Sequence, residues 1–271
     1  MEKFTQKSNI GFWNEYAKKI KDSPRGAHSD KYLVELEDKF IESILKIKKP
    51  ITLLDIGCGN GQRTIRFSKF VKGKTVGVDY SENMIKECKT YLLKQKKNIQ
   101  NKISFSLLDA KMVDELDSFD IIISCRCLVN QTSSKKQVEL IKIIHSKLKK
   151  NGSFIIAEGS EEGLRKLNSL RKIFGLKKIR APWHNLPINE KYVLPKILKL
   201  FKIKQISRLG MFFFLSRVIH PSIVYPNEPD SNAIINQISL KAESLLNKEK
   251  INFIESFENY GSHLLIHFIK K

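Results

Sequence analysis

Glycines recur at every second position from Gly57 to Gly61, directly after the apolar run 51–56. Glycine lets a chain turn tightly and lets a ligand approach the backbone without a Cβ in the way. The dinucleotide fingerprint G-x-G-x-x-G is not met, because Gln62 stands where its third glycine would be. The Gly-Lys-Ser/Thr of a phosphate loop is absent as well. A G-x-G-x-G turn preceded by Asp55 therefore suits a cofactor that has no pyrophosphate to cradle.

Two further carboxylates end the next two apolar runs. Asp79 ends the run 75–79, about 20 residues after the turn, where an acidic side chain can accept from both ribose hydroxyls of a nucleoside. Asp109 follows the run 103–108 and is placed to accept from an exocyclic amine such as that of adenine. Either carboxylate alone could merely cap the next helix. Together with Asp55 they predict a nucleoside site at the carboxyl edge of a sheet.

The elements that must position these residues alternate between strands and helices. Helical spacing of apolar residues occurs before the glycine turn, within 11–48, and a helix is also expected near 232–246. Strands are predicted at 51–56, 75–79, 103–108, 119–124 and 152–158, with helices at 62–70, 81–96 and 134–148. Unbroken apolar strands between helices predict a parallel sheet covered on both faces. A further strand is expected within 201–219, and 263–269 alternates like a final edge strand.

Composition limits the class of protein. A chain of 271 residues suits one large α/β domain, and its longest apolar run, 211–215, is far short of a bilayer span. We see no secretion signal and expect a cytoplasmic protein with four reduced cysteines. No metal site is expected, because the pair at 125 and 127 is too close for a zinc knuckle and lacks a second pair. The net charge of +21 favours anionic partners, but only nine of the 49 basic residues are arginine and the lysines are dispersed, so nucleic acid is an unfavoured partner.

Three segments carry a family resemblance. LLDIGCGNG (53–61) resembles the first motif of class I S-adenosylmethionine (SAM)-dependent methyltransferases, TVGVDYSENMI (75–85) their second motif, and LKKNGSF (148–154) the turn into their fifth strand. The resemblance implies a Rossmann-like α/β fold with a mostly parallel, seven-stranded sheet and helices on both faces. We expect an N-terminal helical lid at 1–48 and a SAM-binding domain at 49–271. Substrate-side insertions are expected at 160–202 and 220–262, the second before the last strand.

The resemblance also assigns cofactor contacts. The glycine turn would lie near the methionine part of SAM, Asp79 on the ribose, and Tyr80 or Met84 beside the adenine. The expected SAM contacts are Asp55, Gly57, Cys58, Gly59, Gly61, Asp79, Tyr80, Met84, Asp109, Ala110 and Cys125. S-adenosylhomocysteine would be the product.

In that family the acceptor meets the methyl group near the end of the fourth strand, here 124–130. The Asn/Asp-Pro-Pro-aromatic motif of nucleic-acid amino-methyltransferases and the Pro-Cys motif of cytosine C5 enzymes are both absent. Arg126 is a candidate anion clamp and Asn130 a polar orienter. Arg126 could instead pair with a helix carboxylate. Glu158 could accept from an acceptor hydroxyl, or only cap a helix.

Residues 164–171 and 182–185 resemble a subset of these enzymes found among surface-polysaccharide and small-metabolite methyltransferases. His184 is the candidate general base, since the pKa of imidazole lies near operating pH; a loop histidine beside a tryptophan can also simply bind backbone. The catalytic candidates are His184, Glu158 and Arg126. The candidate acceptor-binding residues are Tyr16, Arg25, His28, Arg126, Asn130, Arg171, Trp183 and Asn185.

The sequence thus predicts a SAM-dependent methyltransferase that O-methylates a small anionic metabolite. The expected acceptor is a sugar nucleotide, or a phosphorylated or phosphoramidate precursor of a bacterial capsule or other surface glycan. Two alternatives stay open: an RNA methyltransferase, favoured by charge alone, and a SAM-binding module without turnover. The oligomeric state is undetermined.

Overall fold

The computed structural model describes residues 5–20, 30–249 and 259–271. The strands are β1 (Leu53–Ile56), β2 (Thr75–Asp79), β3 (Ile103–Leu107), β4 (Phe119–Cys125), β5 (Leu148–Gly159), β6 (Phe201–Ser207) and β7 (His263–Lys270). They form one seven-stranded sheet in the order β3-β2-β1-β4-β5-β7-β6. The pairs among β1 to β5 are parallel, and β7 runs antiparallel to both β5 and β6. The predicted Rossmann-like, mostly parallel α/β fold is confirmed.

Helices connect and cover these strands. They are α1 (Gln6–Ile20), α2 (Lys31–Lys48), α3 (Gln62–Ser68), α4 (Glu82–Leu93), α5 (Lys97–Gln100), α6 (Ser134–Ser146), α7 (Glu161–Ile173), α8 (Glu190–Ile197), α9 (Gly210–Phe214), α10 (His220–Val224) and α11 (Ile234–Glu249). A π-helical turn, Leu215–Ile219, joins α9 to α10, and 3₁₀ turns span Ala110–Glu115 and Leu128–Asn130.

The central strands are buried on both faces, and alternate residues enter different cores. Leu53, on β1, packs into a core with apolar residues of α2 and α9. Leu54, the next residue, packs into a second core with residues of α6 and α8. This alternation follows from the two-residue period of a strand. It explains why the strands read as continuous apolar runs.

One detail of the prediction for the C-terminal region is wrong, whereas the strand expected within 201–219 is present as β6. The segment 263–269 was expected at the sheet edge, but β7 lies between β5 and β6, and 264–268 are buried. The edge position belongs to β6, whose residues 202–206 are exposed. The apolar run 211–215 is helical: α9 starts at Gly210, directly after Leu209 with its left-handed φ of 58°, and the π-helical turn follows from Leu215.

The N-terminal helices play different parts. Asp30 caps α2 by accepting from the amides of Tyr32 and Leu33, and ten residues of α2 are buried against the sheet. Helix α1 instead crosses the carboxyl edge of the sheet: Gln6 donates to Asp109 at 2.6 Å, and Trp13 donates to Asn130 at 3.1 Å. The division into a lid at 1–48 and a domain at 49–271 stays a prediction. Within the described ranges, no helix is long and apolar enough to cross a membrane.

Candidate active site

A cavity of about 470 Å³ lies where the carboxyl ends of the central strands meet α1. On its β1–β2 side the wall includes the glycine turn, Asp55 and Asp79. On its β5–β7 side the wall comes from Gly159, the segment 179–187, and residues near the start of β7. The cavity thus sits at the sheet edge where the sequence places its candidate carboxylates.

The three glycines of the turn all need a left-handed backbone, with φ of 70° at Gly57, 55° at Gly59 and 76° at Gly61. A Cβ on Gly57 would lie 2.8 Å from the Cβ of Cys127, and one on Gly61 would lie 2.7 Å from the Phe105 ring. Gly59 has no atom within 4 Å of that position. Gly57 and Gly61 are therefore required by packing, whereas Gly59 leaves its backbone open to a ligand.

The carboxylates of the β1–β2 side are hydrogen-bonded, and Asp55 is buried while Asp79 is half-buried. Asp79 accepts from the amide of Gly59 at 3.0 Å and from that of Ser81 at 2.9 Å. Asp55 accepts from the Thr64 hydroxyl at 2.5 Å. Burial raises the pKa of each carboxyl group to about 6. Asp79 therefore fixes the glycine turn and also lines the cavity.

Arg63, on α3, lines this side of the cavity and was missed from the sequence. Its side chain is buried, with Nε donating to Asp38 at 2.7 Å and Nη1 lying 3.2 Å from Glu37. Nη2 is buried with no hydrogen-bond partner in the described part of the chain. Nothing in the residues around Arg63 marks it in the sequence, since its two carboxylate partners come from α2. Asn60, in the turn itself, also lines the wall.

The other predicted cofactor residues divide into two groups. Tyr80, Met84, Cys58 and Cys125 line the cavity, and burial raises the pKa of both thiols, so they stay protonated. Gly61, Asp109 and Ala110 do not line it. Asp109 caps the 3₁₀ turn by accepting from the amide of Lys111 at 3.0 Å and also accepts from Gln6. Within this structure Asp109 acts as a cap and a lid contact, and its assignment as an adenine ligand stays a prediction.

Aromatic side chains of α1 form the roof of the cavity. The Phe12 ring stacks on Tyr16 at 5.6 Å and on His184 at 4.0 Å between centroids. Asn9 holds this arrangement from below, donating to the carbonyl oxygens of Asn130 and His184 at 3.0 and 3.4 Å. Tyr16 and His184 both line the cavity, as their predicted roles require.

Charge separates the two sides of the cavity. Asp55 and Asp79 are the acidic residues on the described wall, and both belong to the β1–β2 side. The rest of the wall contains Arg126, Arg180 and Arg217.

Of the predicted acceptor-binding residues, Arg25 and His28 lie outside the described residues.

The comparisons with known proteins agree with this geometry. A family model described as a methyltransferase domain matches residues 47–191, more than half of the chain. The chain belongs to this methyltransferase-domain family. The 235L protein of Invertebrate iridescent virus 6, provisionally named as a methyltransferase, is 33% identical over 109 residues. That match covers 38% of this chain and only 38% of the relative.

Solved methyltransferase structures share the fold. N-methyltransferase NodS from Bradyrhizobium japonicum WM9, bound to S-adenosylhomocysteine, matches with a TM-score of 0.58 at 10% identity, over 97% of this chain and 98% of NodS. Magnesium protoporphyrin IX methyltransferase ChlM from Synechocystis PCC 6803, also bound to S-adenosylhomocysteine, matches with a TM-score of 0.53 at 13% identity, over 89% and 86% of the two chains. At these identities the likeness shows a common fold.

Glu158 is not on the cavity wall, which argues against its assignment as a catalytic residue. The side chain is fully buried, and its oxygens accept from the Ser124 hydroxyl at 2.8 Å and from the amides of Cys127, Leu128 and Val129 at 3.0 to 3.2 Å. Burial raises the pKa of Glu158 to about 7. The carboxyl group therefore caps the turn after β4 rather than a helix after β5, and it leaves no side available to an acceptor.

Arg126 and Asn130 line the cavity, but their side chains already bind other protein groups. Nη1 of Arg126 donates to both carboxylate oxygens of Glu37, at 2.8 and 2.7 Å. From the sequence, Arg126 could either bind an anion or pair with a helix carboxylate. In the structure it pairs with Glu37, a carboxylate of α2. Asn130 donates to the Arg126 carbonyl oxygen at 2.6 Å and accepts from Trp13. Asn130 thus orients the lid and the β4 turn.

Two other residues predicted to bind the acceptor, Arg171 and Trp183, do not line the cavity. Arg171 is buried, donating through Nε to the carbonyl oxygen of Lys177 at 2.9 Å and through Nη1 to that of Arg217. Its role is to tie two loops together. Trp183 is 37% exposed and meets the Phe12 ring edge-on from outside the cavity. Asn185 does line the cavity, as predicted.

Proposed function

We propose that this methyltransferase transfers a methyl group from SAM to an oxygen of a small anionic metabolite. A sugar nucleotide, or a phosphorylated or phosphoramidate precursor of a bacterial surface glycan, is the acceptor class we favour. The observation that carries the proposal is the charge distribution of one cavity: its carboxylates, with Arg63 beside them, lie on the β1–β2 side, and the remaining described wall carries arginines without a carboxylate. A cation-lined, carboxylate-free wall favours an anionic ligand.

The β1–β2 side fits SAM. Asp79 would accept from the ribose hydroxyls, the open backbone of Gly59 would allow close approach, and Tyr80 and Met84 would flank the adenine. The orphaned Nη2 of Arg63 supplies a buried donor for the methionine carboxylate. When bound, SAM supplies a methyl group already activated on a sulfonium. NodS and ChlM, which share the fold, both hold S-adenosylhomocysteine.

The chain's own contribution to the reaction would then be alignment, exclusion of water and, for a hydroxyl acceptor, removal of a proton. Burial lowers the pKa of His184, so the imidazole is neutral at pH 7 and able to accept that proton. Its Nδ1 is buried without a hydrogen-bond partner among the residues described. The aromatic roof formed by Phe12 and Tyr16 would keep water from the acceptor. An acceptor that is already ionised would need no base.

The same experiment tests two alternative functions, an RNA methyltransferase and a SAM-binding module without turnover. The net charge of +21 favours an RNA methyltransferase, although a cavity roofed by α1 suits a small molecule better than a polymer. A binding module without turnover would hold SAM and form no S-adenosylhomocysteine. NodS is named as an N-methyltransferase and ChlM as a magnesium protoporphyrin IX methyltransferase, so the shared fold leaves the acceptor open.

The decisive experiment incubates the full chain with methyl-labelled SAM and a bacterial metabolite extract, and in parallel with total RNA. We expect label in the anionic small-molecule fraction and none in RNA. Label in RNA alone would contradict the proposal, and tight SAM binding without S-adenosylhomocysteine in either pool would indicate a module. An Arg63→Lys variant keeps the charge but loses the second guanidinium nitrogen, and we expect it to bind SAM more weakly.

A further inference from the structure

Four arginines line the cavity, and three of them are neutralised by carboxylates of the N-terminal region. Arg63 donates to Asp38 at 2.7 Å. Arg126 donates to Glu37 at 2.7 Å, and Arg217 donates to Asp30. The fourth, Arg180, makes no ion pair or side-chain hydrogen bond with any residue that the structure describes. It is therefore the uncompensated positive charge on this wall.

The backbone that carries Arg180 is held in place. The side chain of Asn168, on α7, accepts from the amide of Ile179 at 2.8 Å and donates to the carbonyl oxygen of the same residue at 2.9 Å. Further along, the amide of Leu186 donates to the carbonyl oxygen of Val129 at 2.6 Å. The segment 179–187 is thus anchored near both ends, so a side chain on it is presented from a fixed position.

The same segment offers an unused acceptor. Oδ1 of Asn185 is buried at the cavity wall, with no donor within hydrogen-bond distance among the described residues. A buried polar atom left unpaired is costly, and one beside a ligand cavity is satisfied when a ligand supplies its partner. Asn185 therefore complements a hydroxyl or amino group, while Arg180 complements an anion.

We propose that Arg180 is the residue that selects an anionic acceptor, and that Asn185 accepts a hydrogen bond from a hydroxyl or amino group of the same molecule. The acceptor class is a small molecule carrying a phosphate or carboxylate group together with such a donor. This inference rests on the proposed function and deepens it. It assigns anion recognition to Arg180, which the sequence did not single out. Arg126 and Arg171, the earlier candidates, bind other groups of the protein.

The first test measures anion binding directly. Pyrophosphate, and separately citrate, is titrated by calorimetry at fixed ionic strength into the full chain saturated with S-adenosylhomocysteine. We expect Arg180→Ala to weaken binding of the preferred anion by about ten- to a hundredfold, and Arg180→Lys to weaken it less. Arg165→Ala, at an exposed arginine of α7 that does not line this cavity, is the matched control and should bind like the wild type.

Equal affinity in Arg180→Ala and the wild type would overturn the inference, as would a wild type that binds neither anion at millimolar concentration. The proposed function fails separately, through loss of S-adenosylhomocysteine binding or of methyl transfer. Asn185→Ala gives the second arm: it should keep anion affinity yet lower methyl incorporation at limiting metabolite extract. Unchanged incorporation in that variant would remove Asn185 from the acceptor site.

Discussion

Glu37 holds Arg126 through a single guanidinium nitrogen, whose distances to the two carboxylate oxygens are 2.8 and 2.7 Å. Glu37 is fully buried, and Arg63 and His263 approach the same carboxylate at 3.2 and 3.5 Å. One side chain of α2 thus joins the start of α3, the end of β4 and the start of β7. The floor of the cavity is built around this carboxylate.

Removing Arg126 should therefore cost stability. Arg126→Met leaves a buried carboxylate with one fewer charged donor, and we expect a loss of about 3 kcal/mol in the free energy of unfolding. Denaturant unfolding measures this, and Lys39→Met is the control, because Lys39 and its partner Glu35 are 47% and 38% exposed, and an ion pair at the surface contributes about 1 kcal/mol or less. Adding Glu37→Gln to Arg126→Met should recover part of the loss. A fully stable Arg126→Met variant with impaired acceptor binding would restore the anion-clamp role.

Substitutions at two glycines of the turn should distinguish the effect of packing from the effect of ligand access. Gly59→Ala should fold, with some strain from its φ of 55°, and its new methyl group should reduce affinity for S-adenosylhomocysteine by at least about tenfold. Gly61→Ala should instead lower the unfolding temperature, because its Cβ would meet Phe105 and Cys88 within 2.8 Å. Calorimetric titration and thermal unfolding distinguish the two. Similar behaviour of both variants in both measurements would contradict this division.

Asp79 and Asp109 should differ in their effect on the cofactor. Asp79→Ala is expected to abolish measurable SAM binding, while Asp109→Ala changes it little, since Asp109 caps a turn away from the wall. The pKa of Asp79 is about 6, so the ionised acceptor is present above that pH and lost below it. Affinity should therefore fall as the pH drops below 6, and Asp79→Asn should flatten that dependence. A pH-independent wild type would argue against Asp79 as the ribose acceptor.

His184 provides a test of the acceptor atom. If the acceptor is a hydroxyl, His184→Gln should lower kcat by about a hundredfold and leave SAM affinity unchanged. Because burial lowers the pKa of His184, the wild-type rate should hold its plateau into mildly acidic solution and fall only as the imidazole becomes protonated. Single-turnover rates across pH measure this. An unaffected His184→Gln variant would indicate an acceptor ionised before transfer.

Whether a candidate residue was placed correctly depended on how far along the chain its hydrogen-bonding partners lie. The turn from Gly57 to Gly61 could be placed at the sheet edge because it directly follows β1, and Asp79 because it is the last residue of β2. Glu158 lies one residue before the end of β5, yet its carboxyl group turns to the loop after β4, about 30 residues earlier in the chain. Position at a strand end therefore predicted location well and the direction of the side chain poorly.

The sequence by itself determined the alternation of strands and helices and the glycine turn, because apolar runs, helical spacing and turn residues are local signals. Only the tertiary structure decided which charged side chains are ion-paired. Arg126 is paired with a carboxylate 89 residues away, and Arg180 is not paired within the described chain. The place of β7 inside the sheet was decided in the same way, by antiparallel pairing with β5 and β6. Such contacts depend on packing between distant segments, which no local pattern encodes.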